Sequence, residues 1–248
     1  MRFSSVPASE VAADDPRTVQ LSEHHSPWGT FSPGNWAFYR TITQTFEKDS
    51  SVTSVKDTQL TLEAVKDRRV ILKQKTSVNI GGQNFSPEPQ QIICDFYRQR
   101  VEDSVKVEVL PLEFLSINRK QVVCQVCKYT YSTESWTQET TVWYSPQVMP
   151  YVLKTDLVRK SKSDGTILMQ KTTAVTETSD LRPLGRLLRN YTTQSVMLAG
   201  KHTTVTNSYY SDNVPGGLLR ETSVETDANK KVVSRTETTL YNYSLSCP

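Results

Sequence analysis

Two cysteines three residues apart are the first candidates for chemistry in this sequence. Cys124 and Cys127 have the spacing of a redox pair or of half a metal site. The redox form sits at a helix N-terminus, where the thiol pKa is lowered, but the flanking valines and tyrosines predict a strand. Residues three apart on a strand point to opposite faces, and no second pair or nearby histidine completes a zinc set. We therefore interpret both as structural cysteines, and leave open how Cys94, Cys124, Cys127 and Cys247 pair.

The three histidines make a weak case for catalysis. His24 and His25 lie in a segment without strand periodicity, and His202 lies at a predicted hairpin tip. A Ser-His-Asp site is assembled in space, so the sequence does not exclude one. However, the chain has no GxSxG elbow, no HExxH motif and no Gly-rich phosphate loop. We interpret all three as surface histidines and expect a protein that is not an enzyme, with no cofactor and no metal.

Aromatic residues on or beside predicted strands are the stronger candidates for a binding site. If several of them share the concave face of one curved sheet, they line an apolar pocket. The alternative is that they form the hydrophobic core. The candidate ligand-binding residues are Trp36, Tyr39, Trp143, Tyr144, Tyr209 and Tyr210.

A sequence repeat positions most of these aromatic residues. The stretch YSPQVMPYVLK at 144–154 returns 66 residues later as YSDNVPGGLLR at 210–220. In each copy a strand pattern, a Pro-containing break, a second strand, a polar turn and a third strand follow one another, which predicts an antiparallel meander. We therefore predict an all-β protein whose meander forms a curved sheet or half-barrel. Its 66-residue internal repeat spans about residues 122–178 and 188–243.

The rest of the chain fits one β domain behind a tail. Residues 1–27 are predicted to be a flexible N-terminal tail, and residues 28–248 a single β domain. Residues 36–46 alternate apolar and polar side chains, which is the period of a strand with one buried face. Residues 181–191 are predicted to connect the repeats; a helix there is the alternative, weakened by Pro183 and Gly185.

Charge and hydropathy restrict the possible partners and cellular location of the protein. The net charge of +3, with Lys and Arg dispersed among Asp and Glu, gives no basis for nucleic-acid binding. No apolar stretch approaches the roughly 18 residues of a membrane-spanning helix. Residues 1–27 contain no apolar core of a signal peptide, which fits either a processed secreted protein or a cytosolic one. We expect a periplasmic or secreted protein, with the cytoplasm as the alternative.

Two resemblances accompany these patterns. The motif from Trp28 to Trp36 and the two repeat motifs resemble uncharacterised secreted β proteins of planctomycete bacteria over about residues 28–243, a family that implies no function. More distantly, the meander is similar to the half-barrel of bacterial lipoprotein carriers and outer-membrane lipoprotein receptors, which is a fold-level analogy. That similarity implies a curved sheet whose apolar concave face holds acyl chains, although this chain lacks clear plug helices.

These observations predict a non-enzymatic cell-envelope or periplasmic binding protein for an apolar, lipid-like ligand. The alternative is a structural or protein-interaction β module without a small-molecule ligand. A hydrolase without a recognisable motif is the third interpretation. The expected partners are therefore a lipid or other apolar ligand, or another protein.

Overall fold

The computed structural model describes residues 9–11, 25–47, 50–66, 69–95, 106–179 and 189–245. Over these residues the chain forms one antiparallel sheet of fifteen strands, which is curved and does not close. The predicted all-β antiparallel meander in a curved sheet is confirmed. The strands are β1 (Ser9–Val11), β2 (Trp36–Phe46), β3 (Ser51–Lys66), β4 (Arg69–Ile80), β5 (Gln83–Phe85), β6 (Gln90–Asp95), β7 (Lys106–Ile117), β8 (Lys120–Ser132), β9 (Trp136–Tyr144), β10 (Val152–Ser161), β11 (Ile167–Thr178), β12 (Asn190–Ala199), β13 (His202–Ser211), β14 (Leu218–Thr226) and β15 (Val232–Ser244).

Most strands pair with their neighbours in the chain. From β7 to β15 each strand pairs with the next, and β15 then pairs with β2, which is followed by β3, β4 and β5. β1 lies beside β7, and β6 pairs with β4. The pairing of β15 with β2 therefore joins the two repeats to the N-terminal strands in one continuous sheet.

Described parts of the predicted tail belong to the domain. β1 pairs with residues 107–109 of β7. Residues 25–35 are here called the strap. At one end of the strap His25 lies beside Tyr144, at the end of β9. At the other end the Asn35 carbonyl accepts a hydrogen bond from the Leu62 amide in β3 at 2.8 Å. This differs from a tail that ends at residue 27. Residues 1–8 and 12–24 of that tail, and residues 181–188 of the predicted connector, lie outside the described residues.

Three buried clusters form the core of the described residues. Two lie on the face that the strap covers, here called the inner face, around Tyr144 in β9 and Tyr39 in β2. The third, around Cys124, lies on the outer face, where the β7–β8 hairpin curls back and the Asn118 amide donates to the Thr178 carbonyl at 2.9 Å. Cys124 and Cys127 thus belong to separate clusters, which confirms that they point to opposite faces.

A row of hydroxyl groups crosses the inner face between its two apolar clusters. Residues in register on neighbouring strands lie on the same face of a sheet, and one such row has Thr or Ser at every position across eight strands. Cross-strand oxygens in this hydroxyl row are 3.1 Å apart in one pair and 3.0 Å in another. The row consists of Thr155, Thr173, Ser195, Thr206, Ser223, Thr236, Thr43 and Ser54. This row makes a polar strip across the inner face, whereas the similarity to lipoprotein carriers implies an apolar face.

The two repeat motifs form turns with matching backbone hydrogen bonds. In the first turn (residues 145–151) the Ser145 amide donates to the Tyr151 carbonyl at 2.8 Å, and in the second turn (residues 211–217) the Ser211 amide donates to the Gly217 carbonyl at 2.7 Å. Tyr151 has a φ of 73° and Gly217 a φ of 76°. Because β9 and β13 run in the same direction, both turns lie at the same end of the sheet.

A glycine in the second turn sets how the strap packs. A Cβ on Gly216 would lie 2.8 Å from Cζ2 of Trp28, and Gly216 has a φ of +79°. We expect Gly216→Ala to lower the free energy of unfolding by about 2–4 kcal/mol, because left-handed backbone strain adds to overpacking against a buried indole. Urea denaturation followed by tryptophan fluorescence measures this loss.

Gly165→Ala is the matched control for that variant. Gly165 has a φ of +72°, but no described atom lies within 4 Å of the Cβ position. Gly165→Ala introduces the backbone strain alone, so we expect it to lower the free energy of unfolding by about 1 kcal/mol. Equal losses in the two variants would contradict the packing of Trp28 on Gly216.

Candidate functional site

A cleft of about 280 Å³ lies where the strap meets the two turns. Its lining comes from four separate parts of the chain: the strap, the first turn, the start of β12 and the second turn. Side chains that are more than 100 residues apart in sequence therefore face one space, and the sheet holds the two turns at a fixed distance.

The strap and the first turn form one wall of the cleft. The His25 ring stacks on the Tyr151 ring, with centroids 3.9 Å apart and 28° between the planes. The Tyr144 hydroxyl lies 3.4 Å from Nδ1 of His25, behind this stack. Met149 and Pro150 complete the wall and make it largely apolar. Tyr151 holds the left-handed backbone that glycine holds in the second turn, and such strain is found most often at ligand sites.

The start of β12 and the second turn form the opposite wall. The Tyr191 ring stacks on the Tyr210 ring at 4.7 Å, nearly parallel. Arg189 Nη1 lies 3.6 Å from Asp212 Oδ2, and the Asp212 amide donates to the Arg189 carbonyl at 3.1 Å. Asn213 adds an exposed amide to the lining. This wall therefore offers charged and amide groups beside an aromatic face.

The second turn is also fixed to the strap and to β2. The Gly216 amide donates to the Pro27 carbonyl at 3.1 Å. The Tyr39 hydroxyl donates to the Pro215 carbonyl at 3.3 Å. Burial raises the pKa of Tyr39 far above its ordinary value, and the nearby Tyr210 raises that pKa further. Tyr39 is therefore neutral at physiological pH and able to donate this bond.

Three of the six predicted aromatic residues stand directly behind the cleft. Tyr144 contacts His25, Tyr210 stacks on Tyr191, and Tyr39 bonds to the second turn. They position residues of the lining and its supporting turn rather than lining the cleft themselves.

The other three predicted aromatic residues lie on the outer face. Strand alternation places Trp36 opposite the buried Ala37, and Tyr209 opposite Tyr210 with half of its surface exposed. Trp143 belongs to the outer cluster. Its indole N–H donates a hydrogen bond to the Glu113 carboxylate at 2.8 Å, and the Lys154 ammonium lies 4.1 Å from the ring centroid in a cation–π contact. The structure does not bring these three residues to the cleft.

The cysteines and histidines have different surroundings. Burial raises the pKa of the Cys124 thiol to about 11, so this thiol is protonated at neutral pH. His202 lies at the β12–β13 hairpin tip, as expected, with Nδ1 2.8 Å from a carboxylate oxygen of Glu225. His25, expected at the surface, is half-buried in the cleft, and His24 lies outside the described residues.

No three His, Cys, Asp or Glu side chains of the described residues are grouped so that they could hold a metal ion. The described part of the chain has no helix long and apolar enough to span a membrane.

Sequence analysis did not identify the polar half of the lining. Arg189, Asp212 and Asn213 carry no motif, and their proximity depends on tertiary structure. The available signal was the difference between the two repeat copies, because Gln147 and Pro150 in the first turn correspond to Asn213 and Gly216 in the second. Positions that differ within a repeated turn are where two equivalent turns acquire different chemistry.

The fold and cleft define an all-β protein with an open, curved antiparallel sheet and a cleft at one end of it. No family model matches the chain, and no curated protein matches it. The planctomycete resemblance therefore stays a prediction.

Solved structures that are similar to the chain include proteins from three bacteria. A protein from Bacteroides fragilis described as exported and as having a YmcC-like fold matches with a TM-score of 0.33 and 8% sequence identity. The match covers 86% of this chain and 97% of that protein's chain. A protein described as a lipoprotein from Parabacteroides distasonis has TM-score 0.33 and 11% identity over 86% and 96% of the chains. An outer membrane lipoprotein-sorting protein domain from Vibrio parahaemolyticus has TM-score 0.30 and 12% identity over 86% and 85%. At these TM-scores none of the likenesses enters the argument for function.

Tyr39 tests how the cleft is supported. We expect Tyr39→Phe to lower the free energy of unfolding at pH 7 by about 1 kcal/mol, because the Pro215 carbonyl loses its buried donor. The unfolded state releases the phenol proton from about pH 10, while the folded state retains it, so this tyrosine's contribution to stability falls as pH rises past 10. The deficit of Tyr39→Phe should therefore shrink between pH 7 and pH 11 in urea denaturation.

Tyr209→Phe is the control, since Tyr209 is half-exposed on the outer face. We expect no more than about 0.5 kcal/mol of change at either pH. A Tyr39→Phe deficit that stayed constant between the two pH values would contradict the raised pKa.

Proposed function

We propose that this protein is a non-enzymatic binding protein of the cell envelope, periplasmic or secreted, and that the cleft between the strap and the two turns is its ligand site. One observation carries the proposal: four distant segments converge on a cleft with an apolar wall and a polar wall. Ligand sites combine apolar lining with a few placed polar groups, and this lining does so. The left-handed Tyr151 beside the cleft adds a strained residue of the kind found at such sites.

The ligand class follows from the two walls. Met149, Pro150 and the ring of Tyr151 offer apolar surface, which supports the apolar, lipid-like ligand expected from the sequence. Arg189 and Asp212 on the other wall require a polar part in the same molecule. An amphipathic ligand meets both requirements. The cleft lies just below the roughly 300–1,000 Å³ of sites for drug-sized molecules, so it holds the polar end of such a ligand.

Native mass spectrometry of the protein from its own host tests the proposal directly. A bound mass that leaves on mild organic extraction is the expected result. A bare chain that also takes up no fluorescent fatty acid would exclude a fatty-acid-like ligand for this site.

Asn213→Trp locates the ligand. Asn213 is an exposed lining residue, so an indole at this position fills the cleft without entering the core. We expect it to weaken binding of a fluorescent fatty acid by at least about ten-fold, which corresponds to roughly 1.4 kcal/mol. Fluorescence titration of both proteins measures the change.

The matched control uses the equivalent position of the first turn. Gln147 is also exposed, and the cleft lining does not include it. Gln147→Trp should bind the probe as the wild type does. Equal affinity in all three proteins would place the ligand elsewhere.

A second candidate function is protein interaction, and it is favoured by apolar residues on β7 and β8. Phe114 and Val123 are paired directly and are 66% and 49% exposed, and Leu112 is 64% exposed. Contiguous exposed apolar surface of this kind often marks an interaction site. A protein bound at one-to-one stoichiometry in the native spectrum, and lost from Phe114→Glu, would favour this function over the first.

A further inference from the structure

We infer that the polar part of the ligand is an uncharged sugar ring, seated between the two aromatic stacks of the cleft. This inference rests on the proposed function and names the chemistry of that ligand. The same ring chemistry occurs in a free sugar and in the headgroup of a glycolipid. Three features of the cleft support a sugar ring: the aromatic faces, the paired donors and acceptors, and the polar surface beneath the cleft.

Two aromatic stacks border the cleft. The His25 ring stacks on the Tyr151 ring at 3.9 Å in one wall, and the Tyr191 ring stacks on the Tyr210 ring at 4.7 Å in the opposite wall. His25, Tyr151 and Tyr191 line the cleft. A pyranose ring has apolar C–H faces that pack against aromatic rings, whose faces carry negative potential. Stacking also holds each ring in place before binding, so little side-chain entropy is lost when a sugar enters.

The polar wall offers donors and acceptors side by side. The Arg189 guanidinium only donates and the Asp212 carboxylate only accepts, while Asn213 and Ser211 do both. A sugar hydroxyl donates and accepts at the same oxygen, so neighbouring hydroxyls require this mixture. Arg189 and Asp212 lie 3.6 Å apart and balance each other in charge. The pair therefore favours a neutral polar group over the carboxylate of a fatty acid.

The inner face next to the cleft continues the polar surface. Along β13, Tyr210 stands at the cleft, Ser208 two residues further donates to Glu221 at 2.8 Å, and Thr206 belongs to the hydroxyl row. An acyl chain leaving the cleft along this face would cover these hydroxyls and the Glu221 carboxylate without replacing their hydrogen bonds to water, at a cost for each group. The hydroxyl groups of a sugar would instead form hydrogen bonds to this surface in place of water. The cleft, at about 280 Å³, is of a size for one ring.

Isothermal titration with small glycosides tests the inference on the full chain. The probes are methyl glycosides of glucose, galactose, mannose and N-acetylglucosamine, then octyl β-D-glucopyranoside below its micelle concentration, and dodecanoate as a chain without a ring. We expect at least one methyl glycoside to bind. Asn213→Ala should weaken that binding by about ten-fold, as loss of one hydrogen bond does, while Gln147→Ala should leave it unchanged.

The outcomes separate this inference from the proposed function. A methyl glycoside and an octyl glycoside that bind equally indicate a free sugar, and a much tighter octyl glycoside indicates a glycolipid headgroup; both support a ring in the cleft. Dodecanoate binding that Asn213→Trp abolishes, with no glycoside binding, overturns the sugar ring but keeps the cleft as a ligand site. No binding by any probe, together with a bare chain from the host, overturns both.

Discussion

The contact of the Trp28 indole with Gly216 is the constraint on which the cleft depends. Only a residue without a side chain lets the indole lie this close to the second turn, and the Pro27 carbonyl next to it accepts the Gly216 amide. The same indole belongs to the buried cluster around Tyr39. One side chain thus joins strap, turn and core. Without this contact the strap would keep its hydrogen bonds to Leu62 and Gly216 but would lose its apolar contact with the second turn.

The predictable part of the structure is the part with local periodicity. Alternation of apolar and polar residues predicted the sheet, and the spacing of Cys124 and Cys127 predicted their opposite faces. The side of the sheet on which each aromatic residue near a turn lies was harder to predict. Register shifts between Val152 and Lys154 and between Tyr209 and Tyr210 change the strand pairing there. The strap was not predictable, because its contacts link residues far apart in sequence and leave no local pattern.

The hydroxyl row shows why composition alone misleads about the inner face. Thr suits a strand because its β-branched side chain packs well on a pleated surface, so abundant Thr predicts a sheet whatever the sheet binds. Only the register shows that eight Thr and Ser residues fall in one row on one face. The cross-strand pairs stabilise the sheet, and each hydroxyl that accepts a bond keeps a proton to donate. The same row therefore serves structure and leaves a hydrophilic surface beneath the cleft.

The two turns share a backbone and differ in side chains, and this difference gives the cleft its polarity. Equivalent hydrogen bonds close both turns, so their positions at the end of the sheet are fixed by the fold. The first turn then places Met149 and Tyr151 on one wall, and the second places Asp212 and Asn213 on the other. A ligand with one apolar and one polar side can bind in only one orientation between such walls. The two turns thus form the frame of the cleft, and the differences between their side chains give it one apolar and one polar wall.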